Sequence, residues 1–325
     1  MKEKVNELLE KADDLESHGM KAEALDVLRQ AARHGADPIV LTRVGALATD
    51  LELWLEAEQA LQTAIRLEPG FTIALFYLGL LYKEQGRFAE AVRCLNKAST
   101  DEPSADTLNV LGVIQLQLDL MDQAQSSFRK AISLDPEHEE AYYNLATTLR
   151  NRNNGEAIRL LGKAIDIDPN YALAHREMGF LLRINERFLE AEYHLQRAIE
   201  LAPSDGWTYI YLGNLLWATE RFTEAESAFR KAIEVWPEQS ISYWALAHYL
   251  EVTGRSLEAR ELYQKAIELD PSDPQANWRF ANYLKDTGEN ERAKLYLRRL
   301  LQLDPNDERA ASALAALSRR GTEND

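Results

Sequence analysis

One cysteine, Cys94, stands in 325 residues. A lone thiol closes no disulfide within the chain, so packing must hold the fold together, and nothing argues for an oxidising compartment. Long apolar runs are missing too. The opening Met1-Lys2-Glu3-Lys4-Val5-Asn6-Glu7 already alternates charge with apolar residues like an amphipathic helix, and nothing suited to a signal peptide or a membrane span follows. The expectation is a cytoplasmic protein without membrane insertion. Positive charge is scarce: 37 lysines and arginines face 53 aspartates and glutamates, a formal net charge of −16. Nucleic acid and anionic lipid attract the opposite balance, so neither is an expected partner.

Catalytic and metal-binding signatures are also wanting. The histidines (His18, His34, His138, His175, His194 and His248) are scattered, and no HExxH, paired metal-ligand cysteines or glycine-rich phosphate loop occurs. His248 and Glu251 share a helical face, a spacing too common to single out a metal site. His175, beside Met178 and Gly179, reads as a core histidine. Carboxylates are abundant on solvated faces and mark no acid–base pair. No enzyme, metal or cofactor is expected. The apolar fraction of 46% is that of a folded chain.

What the chain does have is a period. Alanine returns at Ala24, Ala57, Ala91, Ala124, Ala157, Ala191, Ala225, Ala259 and Ala293, always 33 or 34 residues after the last. Twelve residues after this anchor come Pro69, Pro103, Pro136, Pro169, Pro203, Pro237, Pro271 and Pro305. Seven after it stand Ala31, Ala64, Ala98, Ala131, Ala164, Ala198, Ala232 and Ala266, with Leu300 as the exception. Twelve before it stand Gly45, Gly79, Gly112, Gly179 and Gly213, replaced by alanine at Ala12, Ala247 and Ala281, and by Ala146 one residue nearer. Between the marks, apolar residues recur three and four apart, as in Leu75, Leu78, Leu81 and Tyr82, so the segments are helices. Glycine within a helix costs about 1 kcal/mol relative to alanine. Its recurrence implies a helix contact too close for a side chain, with the anchor alanine expected across it. Proline ends each second helix, and turns such as Gln85-Gly86-Arg87 and Thr253-Gly254-Arg255 divide each unit in two.

These residues resemble the tetratricopeptide repeat, a helix–turn–helix of 34 residues with small residues at the close-packed points and a terminal proline. The resemblance implies an all-α fold, an alpha-alpha superhelix (a solenoid of antiparallel helix pairs) over residues 1–320. Units are expected to begin near residues 5, 38, 72, 105, 138, 172, 206, 240 and 274, followed by a capping helix at 307–318 and a disordered tail at 321–325. The first unit lacks its proline (Ala36 stands there), and the fifth has a shortened inner turn, Arg150 to Gly155.

In this family the first helices line an inner wall. Residues 18, 15, 11 and 8 before the anchor form a helical stripe turned roughly 130° from the packing stripe. On it fall Phe76, Leu80, Asn109, Tyr143, Arg176, Phe180, Arg183, Trp207, Ile210, Asn214, Trp217, Trp244, His248, Trp278 and Asn282; the first two units are plainer. Four of the six tryptophans lie here and only Trp54 and Trp236 elsewhere. So much exposed ring area marks a binding surface, unless the rings tile against neighbouring helices and merely stiffen the wall. Asparagine offers a donor and an acceptor to any peptide backbone. Arg176 and Arg183, with Arg150 nearby, suit an acidic residue or a C-terminal carboxylate. The clamp by which some family members hold chaperone tails is not expected: Asn214 and Arg279 match it, but Ile210, Ala245 and Gln275 replace its lysines and second asparagine.

The expected function is a non-enzymatic module binding a peptide segment of another protein in its groove, monomeric without ligand. The alternative is a self-assembling scaffold docking through its ends or convex face.

Overall fold

In the computed structural model, residues 2–35 and 37–321 are described, and they form nineteen α-helices and no strand. The first helices of the pairs are α1 (Lys2–Ser17), α3 (Pro38–Asp50), α5 (Thr72–Glu84), α7 (Ala105–Gln117), α9 (Glu139–Leu149), α11 (Ala172–Ile184), α13 (Gly206–Ala218), α15 (Ser240–Val252) and α17 (Pro274–Asp286). The second helices are α2 (Lys21–His34), α4 (Trp54–Leu67), α6 (Phe88–Asp101), α8 (Met121–Leu134), α10 (Asn154–Ile167), α12 (Phe188–Leu201), α14 (Phe222–Val235), α16 (Ser256–Leu269) and α18 (Asn290–Leu303). A last helix, α19 (Glu308–Gly321), packs on α18. Ala36 and the expected tail from residue 322 onward lie outside the described residues. None of the described helices is long and apolar enough to cross a membrane. The fold is an all-α helical-repeat solenoid.

Two compact units divide the chain, residues 1–169 and 170–325. Within each, every first helix packs along its own second helix, and each second helix meets the next first helix. First helices also touch directly: α3–α5, α5–α7 and α7–α9 in one unit, α11–α13, α13–α15 and α15–α17 in the other. Second helices do not approach each other to the same degree, so within each unit the first helices make the shorter, inner face. Long charged side chains span the wider outer spacing. Arg29 Nε donates to Glu56 Oε1 at 2.7 Å, Arg221 Nη1 to Glu192 Oε1 at 2.7 Å, and Arg255 Nη1 to Glu226 Oε2 at 2.6 Å. Such part-exposed pairs contribute roughly 0–1 kcal/mol each.

The recurrent glycine faces a different residue from the one expected. A Cβ built on Gly79 would stand 2.7 Å from Leu95 Cγ, and one on Gly213 would stand 2.8 Å from a ring carbon of Phe229. The nearest neighbour is thus the large residue four after the anchor, with the anchor's carbonyl also close at Gly179, where Ala191 O would stand 3.1 Å away. Leu61, Leu95, Phe128, Leu195 and Phe229 are each no more than 1% exposed, and each is the group a side chain at the facing glycine would strike. The small residue makes room for a large one, and the anchor alanine, fully buried one turn earlier, lets the helices close.

The inner turns share one backbone geometry. Five residues before the anchor, Gly19, Gly86, Gly254 and Gly288 have φ between 70° and 87°, while Glu52, Asp119, Glu186 and Glu220 have φ between 57° and 61°. In α13 the turn closes with Arg221 N donating to Leu216 O at 2.8 Å and Glu220 N to Trp217 O at 3.0 Å, the paired bonds of a Schellman motif. The fifth pair departs: α9 is only 11 residues long, and Asn153 caps α10 by accepting from Glu156 N.

His175 is 3% exposed, and its Nδ1 lies 2.9 Å from His194 Nδ1, so one ring donates and the other accepts. Burial, with His175 as a secondary cause, pushes His194 down to about 4.

Two outcomes are expected. Glu220→Gly removes a left-handed non-glycine residue, whose strain is about 1–2 kcal/mol; after the added unfolded-state entropy of glycine it raises the urea-unfolding free energy by about 0.5–1 kcal/mol, whereas Gly86→Ala lowers it. The neutral His194 ring contributes stability that is complete well above pH 6.5, where unfolded histidine is itself neutral, and is lost as pH falls from there toward 4. Melting temperatures should drop across that window, and His194→Gln should flatten the slope.

Candidate functional site

The inner face of residues 170–325 is built on helix N-caps that serve two purposes. Asp205 begins α13 by accepting from Trp207 N at 3.3 Å, and its other oxygen takes Thr208 Oγ1 at 2.6 Å and Arg176 Nη1 at 3.1 Å. Asp273 does the same for α17, accepting from Gln275 N and Ala276 N on one oxygen, and from Ser240 Oγ at 2.8 Å and Trp244 Nε1 at 3.1 Å on the other. Each cap therefore ties the residue 15 before the anchor, on the preceding first helix, into the wall. This corrects the expectation for Arg176: its guanidinium is engaged by Asp205, both side chains being about 15% exposed. The charge is spent inside the scaffold.

Aromatic rings line this face. Phe180 lies 4.8 Å from Tyr211 between ring centroids, Tyr211 lies 5.8 Å from Trp207, and Trp207 meets Trp236 edge-on at 6.4 Å. Trp236 sits over Gly206, where a Cβ would come within 2.5 Å of its indole. Trp217 packs edge-on to His248 at 5.5 Å and to Tyr249 at 5.7 Å. Trp244 carries Arg279 over its ring at 4.8 Å, and Trp278 carries Arg309 at 5.2 Å. Trp207 is 37% exposed; Trp217, Trp244 and Trp278 are half-buried against the core. The rings both stiffen the wall and remain at its surface.

Three other expected contact residues turn inward or are already engaged. Ile210 is 3% exposed and joins the core, beside the half-buried Tyr211. Asn109 is 4% exposed; its Nδ2 donates to Glu140 Oε2 and its Oδ1 accepts from Asn144 Nδ2, so a part-buried polar network uses it. Asn282 donates to Trp278 O and accepts from Lys285 Nζ. Asn214 differs: it is half-buried and makes no hydrogen bond to another described residue. His248 Nδ1 lies 3.7 Å from Glu251 Oε2, whose carboxylate also accepts from Tyr263 Oη at 2.7 Å.

Arg183 and Arg279 stand apart. Each is partly buried, each has an Nε without a hydrogen-bond acceptor, and neither has a carboxylate ion-pair partner among the described residues. Arg183 lies over the Phe180 ring at 5.8 Å. Burial holds both guanidinium groups below their usual range. Arg279 and Tyr211, both 14 before the anchor, were not on the stripe: position −14 gains its place only by leaning back over the preceding helix's ring.

In residues 1–169, Phe76, Leu80 and Tyr143 are half-buried. Phe76 borders a cleft of about 370 Å³ with Ile73, Tyr77 and Ser104. A second cleft of about 580 Å³ runs between α3 and α5, lined by Ile39, Ala46, Phe71, Ile73 and Tyr77, with Arg43 and Asp50 at its rim. Ile39 and Ile73 are 57% and 53% exposed. Both isoleucines lie 18 before their anchors and so on the stripe, yet the sequence gives them no mark that sets them apart from core residues.

Six family models, all described as tetratricopeptide repeat, match residues 72–104, 105–138, 127–159, 170–238, 212–274 and 254–317. The chain is 33% identical over 115 residues to the protein O-mannosyl-transferase Tmtc3 of Drosophila melanogaster, and 36% identical over 74 residues to the rhomboid protease GluP of Bacillus subtilis (strain 168). These stretches are 35% and 22% of this chain but only 12% and 14% of those proteins. Among solved structures, a tetratricopeptide repeat protein from Parabacteroides merdae ATCC 43184 superposes with a TM-score of 0.65 at 18% identity, over 76% of this chain and 98% of that one. A chain of the APC/C hetero-tetramer Cut9–Hcn1 gives 0.60 at 16% identity, over 91% and 59%. At such identities the likeness speaks for the fold alone.

Asp273→Ala removes a cap and the acceptor of two further side chains. It should lower the unfolding free energy by about 2–3 kcal/mol in urea titration. Asp37→Ala, where the aspartate only caps α3, should lose about 1 kcal/mol.

Proposed function

The chain belongs to the tetratricopeptide repeat family, and we propose that it is a non-enzymatic module that binds a peptide segment of another protein on the inner face of residues 170–325. Tetratricopeptide repeats are in general protein–protein interaction scaffolds. The observation that carries the finer reading is the row of rings kept at the surface where a self-contained helical stack would place aliphatic or polar residues. Trp207, Phe180, Trp217, Trp244 and Trp278 are the apolar anchors. Asn214 pairs with the ligand's backbone, since an amide offers both a donor and an acceptor whatever the ligand's side chains. We place this activity in the cytoplasm, with a lone half-buried thiol at Cys94 whose ionisation burial opposes, and with the protein monomeric before it meets its ligand.

A scaffold docking through its outer face is the second reading. It is favoured by Leu55, Leu189 and Leu257, each two residues before its anchor and 72%, 86% and 80% exposed. Sedimentation of the ligand-free chain at several concentrations separates the two, because outer-face assembly is concentration-dependent.

The groove reading is tested with a random dodecapeptide library displayed on phage and selected against the full chain. Trp207→Ala keeps the backbone N-cap bond to Asp205 and gives up ring contacts with Tyr211 and Trp236 outside the core, so the variant should still fold, with a melting temperature a few degrees below the parent. It should nonetheless weaken the selected peptides by tenfold or more, the effect of losing an anchor ring worth about 2 kcal/mol. Unchanged binding by both Trp207→Ala and Trp278→Ala sinks the proposal.

A further inference from the structure

Partly buried arginines in this protein are, as a rule, given a carboxylate. Arg176 has Asp205, and Arg43 has Asp13 and Glu16. Supply is no obstacle, since acidic residues outnumber basic ones by 53 to 37. Arg183 and Arg279 depart from the rule, each lying over an aromatic ring with a buried, acceptor-less Nε and no carboxylate ion-pair partner among the described residues. A desolvated cation without its counter-charge costs stability. Two such sites on one inner face are what remains when the counter-charge arrives with a ligand.

We propose that the ligand is an extended segment carrying two carboxylate side chains, one received by Arg183 and the other by Arg279. This rests on the groove reading above and adds the chemistry and spacing of the ligand. The planar guanidinium matches a carboxylate in a bidentate fork while its face rests on a ring. A monoanion suits Arg279 better than a doubly charged phosphate does, because the Glu251 carboxylate lies close enough to interact with the same guanidinium. The spacing follows from the helices. Arg183 is on α11 and Arg279 on α17, with α13 and α15 between, each first helix touching the next. Three interhelical steps of about 8–10 Å separate them by roughly 25–30 Å. An extended chain advances about 3.3 Å per residue, which sets the two acids about seven to nine residues apart. Asn214, on the intervening α13, favours an extended ligand over a helical one, because a helix satisfies its own backbone and offers that amide nothing.

The test uses the same dodecapeptide library on the full chain, with R183Q and R279Q alongside. Enriched peptides should carry Asp or Glu at two positions seven to nine apart. Each arginine variant should weaken them by tenfold or more, and changing one peptide acid to its amide should remove sensitivity to only one of the two arginines. Melting temperatures of R183Q and R279Q should stay within a few degrees of the parent, since each loses a ring contact, and Arg279 its attraction to Glu251, while shedding a desolvated charge. Peptides that need Trp207 but neither acids nor these arginines overturn this inference and leave the groove reading standing. A library that enriches nothing overturns the groove reading, and this inference with it. A clear fall in melting temperature for both variants assigns the arginines to the scaffold and likewise overturns it.

Discussion

Each helix pair depends on one contact, a residue with no side chain or a single methyl set against a large buried one. Gly45, Gly79, Gly112, Gly179 and Gly213 admit Leu61, Leu95, Phe128, Leu195 and Phe229 to distances that a Cβ would forbid. That interdigitation fixes how near the two helices lie and at what rotation. The rotation then decides which side chains of the first helix reach the inner face. Where alanine takes the glycine's place, as at Ala247 and Ala281, the residues four after the anchor are Tyr263 and Leu297, both at most 2% exposed. The penalty of glycine within a helix is small beside burying a Leu or Phe side chain, roughly 1 against 2–3 kcal/mol.

The turn after each first helix shows the same dominance of packing over local preference. Eight turns demand a left-handed residue, and four of them hold glutamate or aspartate at a strained φ. The chain accepts that strain because the Schellman hydrogen bonds and the helix contact on either side over-determine the geometry. Only the fifth pair escapes, with one residue fewer and an asparagine cap.

The inner face of residues 170–325 is made by reusing structural groups. An aspartate needed to start one helix also holds Trp244 or Arg176 on the helix before it, so the wall is braced by the residues that begin its own helices. Against this economy, two arginines without a carboxylate ion pair among the described residues are conspicuous. Retaining uncompensated charge or exposed rings lowers stability, and such retention is expected where a surface is kept ready for a ligand.

The period, the helix pairs, the turns and their capping prolines were legible in the sequence, because each depends on spacings of three to twelve residues within one or two helices. The inner stripe was legible in outline, and it contained the half-buried rings Trp217, Trp244 and Trp278. The sequence could not show that Ile210 and Asn109 would turn inward, that Arg176 would find Asp205 29 residues on, or that Arg279 would reach Trp244. These outcomes depend on how the neighbouring first helix leans, which no single helix's periodicity encodes. What the sequence by itself determined is the repeating unit, since helix propensity, small residues and turns act locally. What only the tertiary structure decided is which of the stripe's side chains remain open to a ligand, since burial and ion pairing are set by the adjacent helix.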